Sequence, residues 1–167
     1  MQATMTATQG ERNDVDFAQF LTFVCAGEEY GVAILCVQEI KGWDGVTRVP
    51  YAPNYLLGVM NLRGVIVPVI DLRTRFGLEM RQADSSSVVI VVRVHSTLGE
   101  KTAGIVVDAV SEVVDVGAGD LRPAPDLGNA AMEHISGLLP VGERMVILLD
   151  VDRLVGSRID ELVQRAA

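Results

Sequence analysis

Residues 58–71 read GVMNLRGVIVPVID, and residues 137–150 read GLLPVGERMVILLD. The two stretches align without a gap. Each is an apolar run, a short turn and a second apolar run that ends in aspartate, Asp71 in one and Asp150 in the other. Val, Ile and Leu pack well on a pleated, half-buried surface. Asn61-Leu62-Arg63-Gly64 and Pro140-Val141-Gly142-Glu143 carry turn residues. Each stretch therefore reads as a β-hairpin, and the chain holds two of them.

A second gapless pair lies outward of the first. Residues 30–40, YGVAILCVQEI, align with residues 103–113, AGIVVDAVSEV, so that Gly31 matches Gly104 and Glu39 matches Glu112. A looser pair sets Phe20–Val24 beside Val88–Val92. Three segments recurring in one order indicate an internal duplication. The first half offers strands at Phe20–Cys25, Tyr30–Ile34, Val46–Val49, Leu57–Met60 and Val65–Ile70, the first two joined across Ala26-Gly27-Glu28-Glu29. The second half offers Val88–Val94, Ala103–Asp108, Val113–Val116, Ile135–Leu139 and Met145–Leu149.

These connections are too short for the crossover helices of a parallel α/β fold. Five short strands per half fit a small closed barrel, which removes exposed edges. The expected fold class is mainly all-β: two five-stranded barrels packed together, with minor helices. Residues 1–16 are expected to be a flexible arm and 17–155 the main domain. Its subdomains are expected at about 17–77 and 86–155, with Arg81–Asp84 in a solvated linker. Residues 156–167 form an expected C-terminal helix, capped by Ser157, with Ile159, Leu162, Val163 and Ala166 on one stripe.

The formal net charge of −8 repels phosphate backbones, which opposes nucleic-acid binding, and gives no polybasic membrane anchor. No apolar stretch nears the roughly 20 residues that span a bilayer, so direct membrane insertion is not expected. Met1–Asp16 lacks the basic start and apolar core of a signal peptide. A cytoplasmic protein is expected. Apolar residues make up 49% of the chain, more than two small barrels readily bury, which predicts an apolar seam between them and apolar surface left for partners.

Chemistry is scarce. Cys25 and Cys36 lie in apolar runs and read as small buried hydrophobes. His95 and His134 have no metal-ligand spacing and read as surface residues. No nucleophile elbow, P-loop or dinucleotide fingerprint occurs. No metal, cofactor or catalytic set is expected, and an enzyme would have only Glu39, Arg63 and Asp108 to build from. Asp71 and Asp150, matched in the two repeats, read as caps for the turns that follow. The repeats diverge at Asn61–Gly64. There Arg63 is either a solvated turn residue or a fork-shaped donor to a carboxylate, with Glu39 as one candidate within the chain.

The stretch Asn61-Leu62-Arg63-Gly64-Val65-Ile66-Val67-Pro68-Val69-Ile70-Asp71-Leu72 resembles the CheW family. Glu29–Val32, Val37–Ile40, Gly104–Asp108, Leu121–Pro125 and Arg144–Leu148 extend the resemblance in order over about residues 17–155. The resemblance implies SH3-like form for both barrels and a non-catalytic adaptor of bacterial chemotaxis signalling arrays. Such an adaptor bridges the regulatory domain of a CheA-type histidine kinase and the cytoplasmic tips of methyl-accepting chemoreceptors. It is recruited to membrane-associated arrays, where CheW–CheW ring contacts are also allowed. A CheW-like scaffold of a non-flagellar chemosensory pathway is the alternative. By matching position, Glu39 and Arg63 are the implied paired charges of the receptor surface. Ile34, Ile40, Val110 and Val113 are implied to line an apolar groove for the receptor's helical hairpin. Val37, Gly58 and Ser87 are the implied kinase-coupling positions. For each aliphatic residue plain core packing is the competing reading.

Overall fold

The computed structural model describes residues 17–96, 99–124 and 133–156. Ten strands run β1 Phe17–Cys25, β2 Glu28–Ala33, β3 Val37–Gly42, β4 Leu56–Leu62, β5 Val65–Asp71, β6 Val88–Ser96, β7 Gly99–Val107, β8 Ala109–Gly117, β9 Ile135–Val141 and β10 Arg144–Leu149. Two short helices, α1 Leu72–Arg75 and α2 Val151–Val155, follow the two hairpins that match in sequence. Asp71 caps α1, its carboxylate accepting the Arg73 N–H, and Asp150 caps α2 by accepting the Asp152 and Arg153 N–H groups. The expected arm (1–16) and nearly all of the expected C-terminal helix (157–167) lie outside the described residues.

The strands form two five-stranded sheets, ordered β8-β1-β2-β10-β9 and β3-β6-β7-β5-β4. Exchanging the first five strands with the last five converts one order into the other. The duplication is thus a pseudo-twofold relation, but neither sheet is built from one half. The expected division into barrels of about 17–77 and 86–155 does not follow the sheets. The first barrel takes β1 and β2 from the first repeat and β8 to β10 from the second, and the second barrel takes the remainder. The cause lies between β2 and β3, and again between β7 and β8. The first junction is a 3₁₀ turn, Ile34–Cys36, and the second is Asp108 alone. Neither contains a hairpin reversal, so the chain runs forward into the opposite sheet. Parallel pairs then join the halves, Gly31 beside Leu148 and Gly104 beside Val69.

Each barrel is closed by one bridge beyond its sheet: Thr47 to Val59 in the second, Arg122 to Leu138 in the first. The expected strand at Val46–Val49 is reduced to that bridge, and the third strand is Val37–Gly42 instead. Glycine makes closure possible. A Cβ on Gly58 would stand 2.3 Å from the Thr47 carbonyl oxygen, and one on the matching Gly137 would stand 3.0 Å from that of Arg122. The β1–β2 loop is also tighter than expected, a two-residue turn at Ala26-Gly27 with both φ positive.

Alternation along the strands builds three cores. On β6, Val89 and Val91 enter the second barrel, while Ile90, Val92 and Val94 face the seam between barrels. Val116, Leu139, Val146 and Leu148 fill the first barrel. Phe23, Tyr30 and Phe76 stack in sequence across the seam. His134, expected at the surface, is buried there with its ring 6.1 Å from that of Phe76. The seam joins sequence-distant elements, which is why the polar flank of His134 gave no sign of burial. Cys25 is buried and unbridged, and burial pushes its thiol up to about 12.

Candidate partner-binding surface

The surface of interest begins with two bulges. Strand β3 carries one extra residue against β6, between Val37 and Glu39, and β8 carries one against β1 near Ser111 and Glu112. These positions match in the repeats. A bulge re-aims the side chains beside it, and here it presents a glutamate from each barrel, Glu39 and Glu112. In the first barrel Thr22 repairs the ladder. Its buried hydroxyl donates to the Glu112 carbonyl oxygen at 2.9 Å and accepts the Glu112 N–H at 3.1 Å.

Each glutamate meets an arginine. Arg63, at the β4–β5 tip, donates from Nη2 to Glu39 Oε2 at 2.7 Å. Arg144, at the start of β10, donates from Nη2 to Glu112 Oε1 at 3.0 Å. Its Nη1 also reaches both carboxylate oxygens of Glu29, at 2.9 and 3.1 Å. The second pair was not foreseen. The repeat alignment contained the signal, because Glu112 matches Glu39, but the arginine is displaced by two positions from Arg63.

The two arginines differ in setting. Arg63 and Gly64 form a two-residue turn with φ of 53° and 86°, tied by the Gly64 N–H donating to Asn61 Oδ1 at 2.7 Å. The left-handed region disfavours a residue with a Cβ. In the second repeat Gly142 holds the position that matches Arg63. Arg63 thus occupies a strained site that glycine fills elsewhere in the same chain, and its side chain is 71% exposed.

The other expected residues divide by burial. Ile40 and Val113 are exposed, at 46% and 48%. Ile34, Val37 and Val110 are half-buried and pack against the seam core, so each has a packing role whatever else it does. Gly58 has no side chain to offer and serves barrel closure. Ser87 is buried. Its Oγ accepts the Asp84 N–H at 3.0 Å and its carbonyl oxygen accepts the Trp43 N–H at 3.1 Å. The structure brings Glu39 and Arg63 into contact and places Val37, Ile40 and Glu39 on one strand.

Asp108 is engaged internally. Its Oδ2 accepts Arg73 Nη2 at 2.7 Å and the Ala26 N–H at 3.0 Å, tying α1 to the β1–β2 turn. Burial alone would raise its pKa. The Arg73 and Ala26 hydrogen bonds, with the charges of Arg73 and Arg81, outweigh burial and hold it below the ordinary aspartate value. Among the described residues no group of three His, Cys, Asp or Glu side chains could hold a metal ion, and no helix is long and apolar enough to cross a membrane.

Comparison with known proteins places these features in context. The family model of the CheW-like domain matches residues 19–158. A chemotaxis protein CheW of Klebsiella aerogenes is 46% identical over 150 residues, covering 89% of this chain and 88% of that protein. One of Rhizobium meliloti is 34% identical over 140 residues, covering 83% and 88%. The crystal structure of the scaffolding protein TtCheW from Thermoanaerobacter tengcongensis superposes with a TM-score of 0.75 at 33% identity, over 82% of this chain and 91% of that one.

Proposed function

The chain belongs to the CheW family, and on that premise we propose that it is a non-catalytic adaptor coupling a CheA-type histidine kinase to chemoreceptors. The observation that carries this reading is Arg63. It sits on a tight hairpin turn, in a backbone conformation that its repeat counterpart gives to glycine, and is held outward by Glu39. Ile40 follows Glu39 on the same strand, projects to the opposite face and is exposed. Exposed aliphatic side chains together with a fixed charge pair suit an amphipathic helix, with apolar contact supplying affinity and the charges setting register.

In this reading Ile34, Glu39, Ile40, Arg63, Val110 and Val113 receive the cytoplasmic receptor tip. The kinase's regulatory domain binds near Val37, Gly58 and Ser87, with Val37 half-buried. Gly58 and Ser87 shape the barrel wall rather than touch the partner. The adaptor acts in the cytoplasm at membrane-associated arrays, where copies of it also meet in rings.

The test is retention of a kinase regulatory domain and of a receptor-tip fragment by the purified, folded chain. Binding of both, with receptor-dependent stimulation of the full kinase on adding the chain, is the expected result. A folded chain that retains neither fragment overturns the reading.

A further inference from the structure

A cavity of about 450 Å³ opens on the second barrel, beneath the chain that links the two repeats. That volume lies in the range of small-molecule sites, roughly 300–1,000 Å³. Trp43, Val46, Leu57 and Val106 supply an apolar wall. Three guanidinium groups, Arg48, Arg73 and Arg81, and two carboxylates, Asp71 and Asp108, supply the charge. The cavity thus carries a positive surplus in a chain whose net charge is −8.

The carboxylates are already committed. Asp71 accepts the Arg73 N–H at 3.2 Å and the Thr74 hydroxyl at 2.8 Å. Asp108 is held by Arg73 and by the Ala26 N–H. The guanidinium groups are less fully engaged. Arg73 reaches Asp108 and the Glu79 carbonyl oxygen, but its buried Nε has no partner. Arg81 is half exposed, and its ion pairs with Asp84 and Asp108 are long, at 3.6 and 3.9 Å. Arg48 is exposed and makes no ion pair or hydrogen bond among the described residues. A lining that holds three guanidinium groups and an indole matches a flat apolar body bearing one negative group. Guanidinium pairs such a group bidentately, and an indole offers its face to the ring.

We propose that this cavity binds a small organic anion, a carboxylate or sulfonate on a flat apolar frame, with its charge on Arg48 and Arg81 and its body against Trp43. The site is separate from the Arg63 tip, and its test needs neither kinase nor receptor. Trp43 is the only tryptophan of the chain, so it reports on the cavity directly. The probe is 8-anilino-1-naphthalenesulfonate, followed by emission excited through Trp43. Saturable one-to-one binding is expected. The neutral analogue N-phenyl-1-naphthylamine is expected to bind about tenfold more weakly, the scale of one charge-assisted contact. Arg48→Gln with Arg81→Gln should weaken the sulfonate by about tenfold or more in a chain that circular dichroism shows to be folded. Met145→Ser, which removes an exposed apolar side chain elsewhere, should change nothing. Absence of saturation, equal affinity for the neutral analogue, full binding by the double variant, or loss of binding in Met145→Ser would each overturn the proposal.

Discussion

The two barrels carry the same ion pair in two versions, and the difference separates an outward-held arginine from a staple. Arg144 is held by two carboxylates, Glu29 on β2 and Glu112 on β8, so it ties three strands of the first barrel together. Arg63 contacts one carboxylate through one nitrogen, leaving further donors directed at solvent. Arg144 sits at a strand end with ordinary backbone, whereas Arg63 occupies a left-handed turn position that its counterpart gives to Gly142. Duplication supplied both barrels with a glutamate beside a bulge. Only one barrel places its arginine where it is strained and exposed.

The sharpest way to break this comparison is at the closure glycines. Gly58→Ala is expected to cost about 3 kcal/mol or more, since the new Cβ would overlap the Thr47 carbonyl at a φ of 156°. Gly137→Ala is expected to cost about 1 kcal/mol, because its Cβ would meet the Arg122 carbonyl oxygen at a tight but adjustable 3.0 Å. Chemical denaturation of both variants checks the ranking. Equal costs would mean that the two closures are energetically alike despite their geometry.

Next in size is Arg144→Ala. It frees Glu29 and Glu112 together and is expected to lower Tm by a few degrees. An unchanged melting curve would remove the staple.

Acid titration gives a third contrast, because Asp108 matches Leu35, which is exposed and unpaired. The folded pKa of Asp108 lies below the unfolded value, so the carboxylate stabilises the fold fully above pH ~4. That stability is lost as pH falls through the lower folded pKa. Asp108→Asn should flatten the acid limb of stability against pH, as read by urea melts. An acid limb identical to that of the parent would show that Asp108 contributes nothing to it.

The smallest expected effect is the most telling one. Arg63→Gly forfeits an exposed pair, which is weak in water, and relieves a strained backbone by about 1 kcal/mol. Its Tm should therefore stay level or rise slightly.

The hairpins, the duplication and the two aspartate caps were legible in the sequence, because each depends on neighbouring residues. The exchange of strands was not. It follows from forward junctions at Ile34–Cys36 and Asp108, whose outcome depends on pairing with strands far along the chain. Strand β3 was missed because Val37–Gly42 alternates between half-buried and exposed positions and lacks a strong apolar run. His134 was misplaced because the seam that buries it forms only when both barrels meet. At the proposed surface, the Glu39–Arg63 contact could be anticipated from a turn residue with no packing role. Its counterpart at Arg144 could not, because the bulge and the two-position offset hide it from a residue-by-residue alignment.

The most direct test of the central claim is receptor-dependent stimulation of a CheA-type kinase by the Arg63→Gly protein, measured beside its Tm. Loss of stimulation with a Tm no lower than the parent's is the predicted result. Full stimulation would show that no partner needs Arg63, and a fall in Tm would show that it belongs to the fold, as Arg144 does.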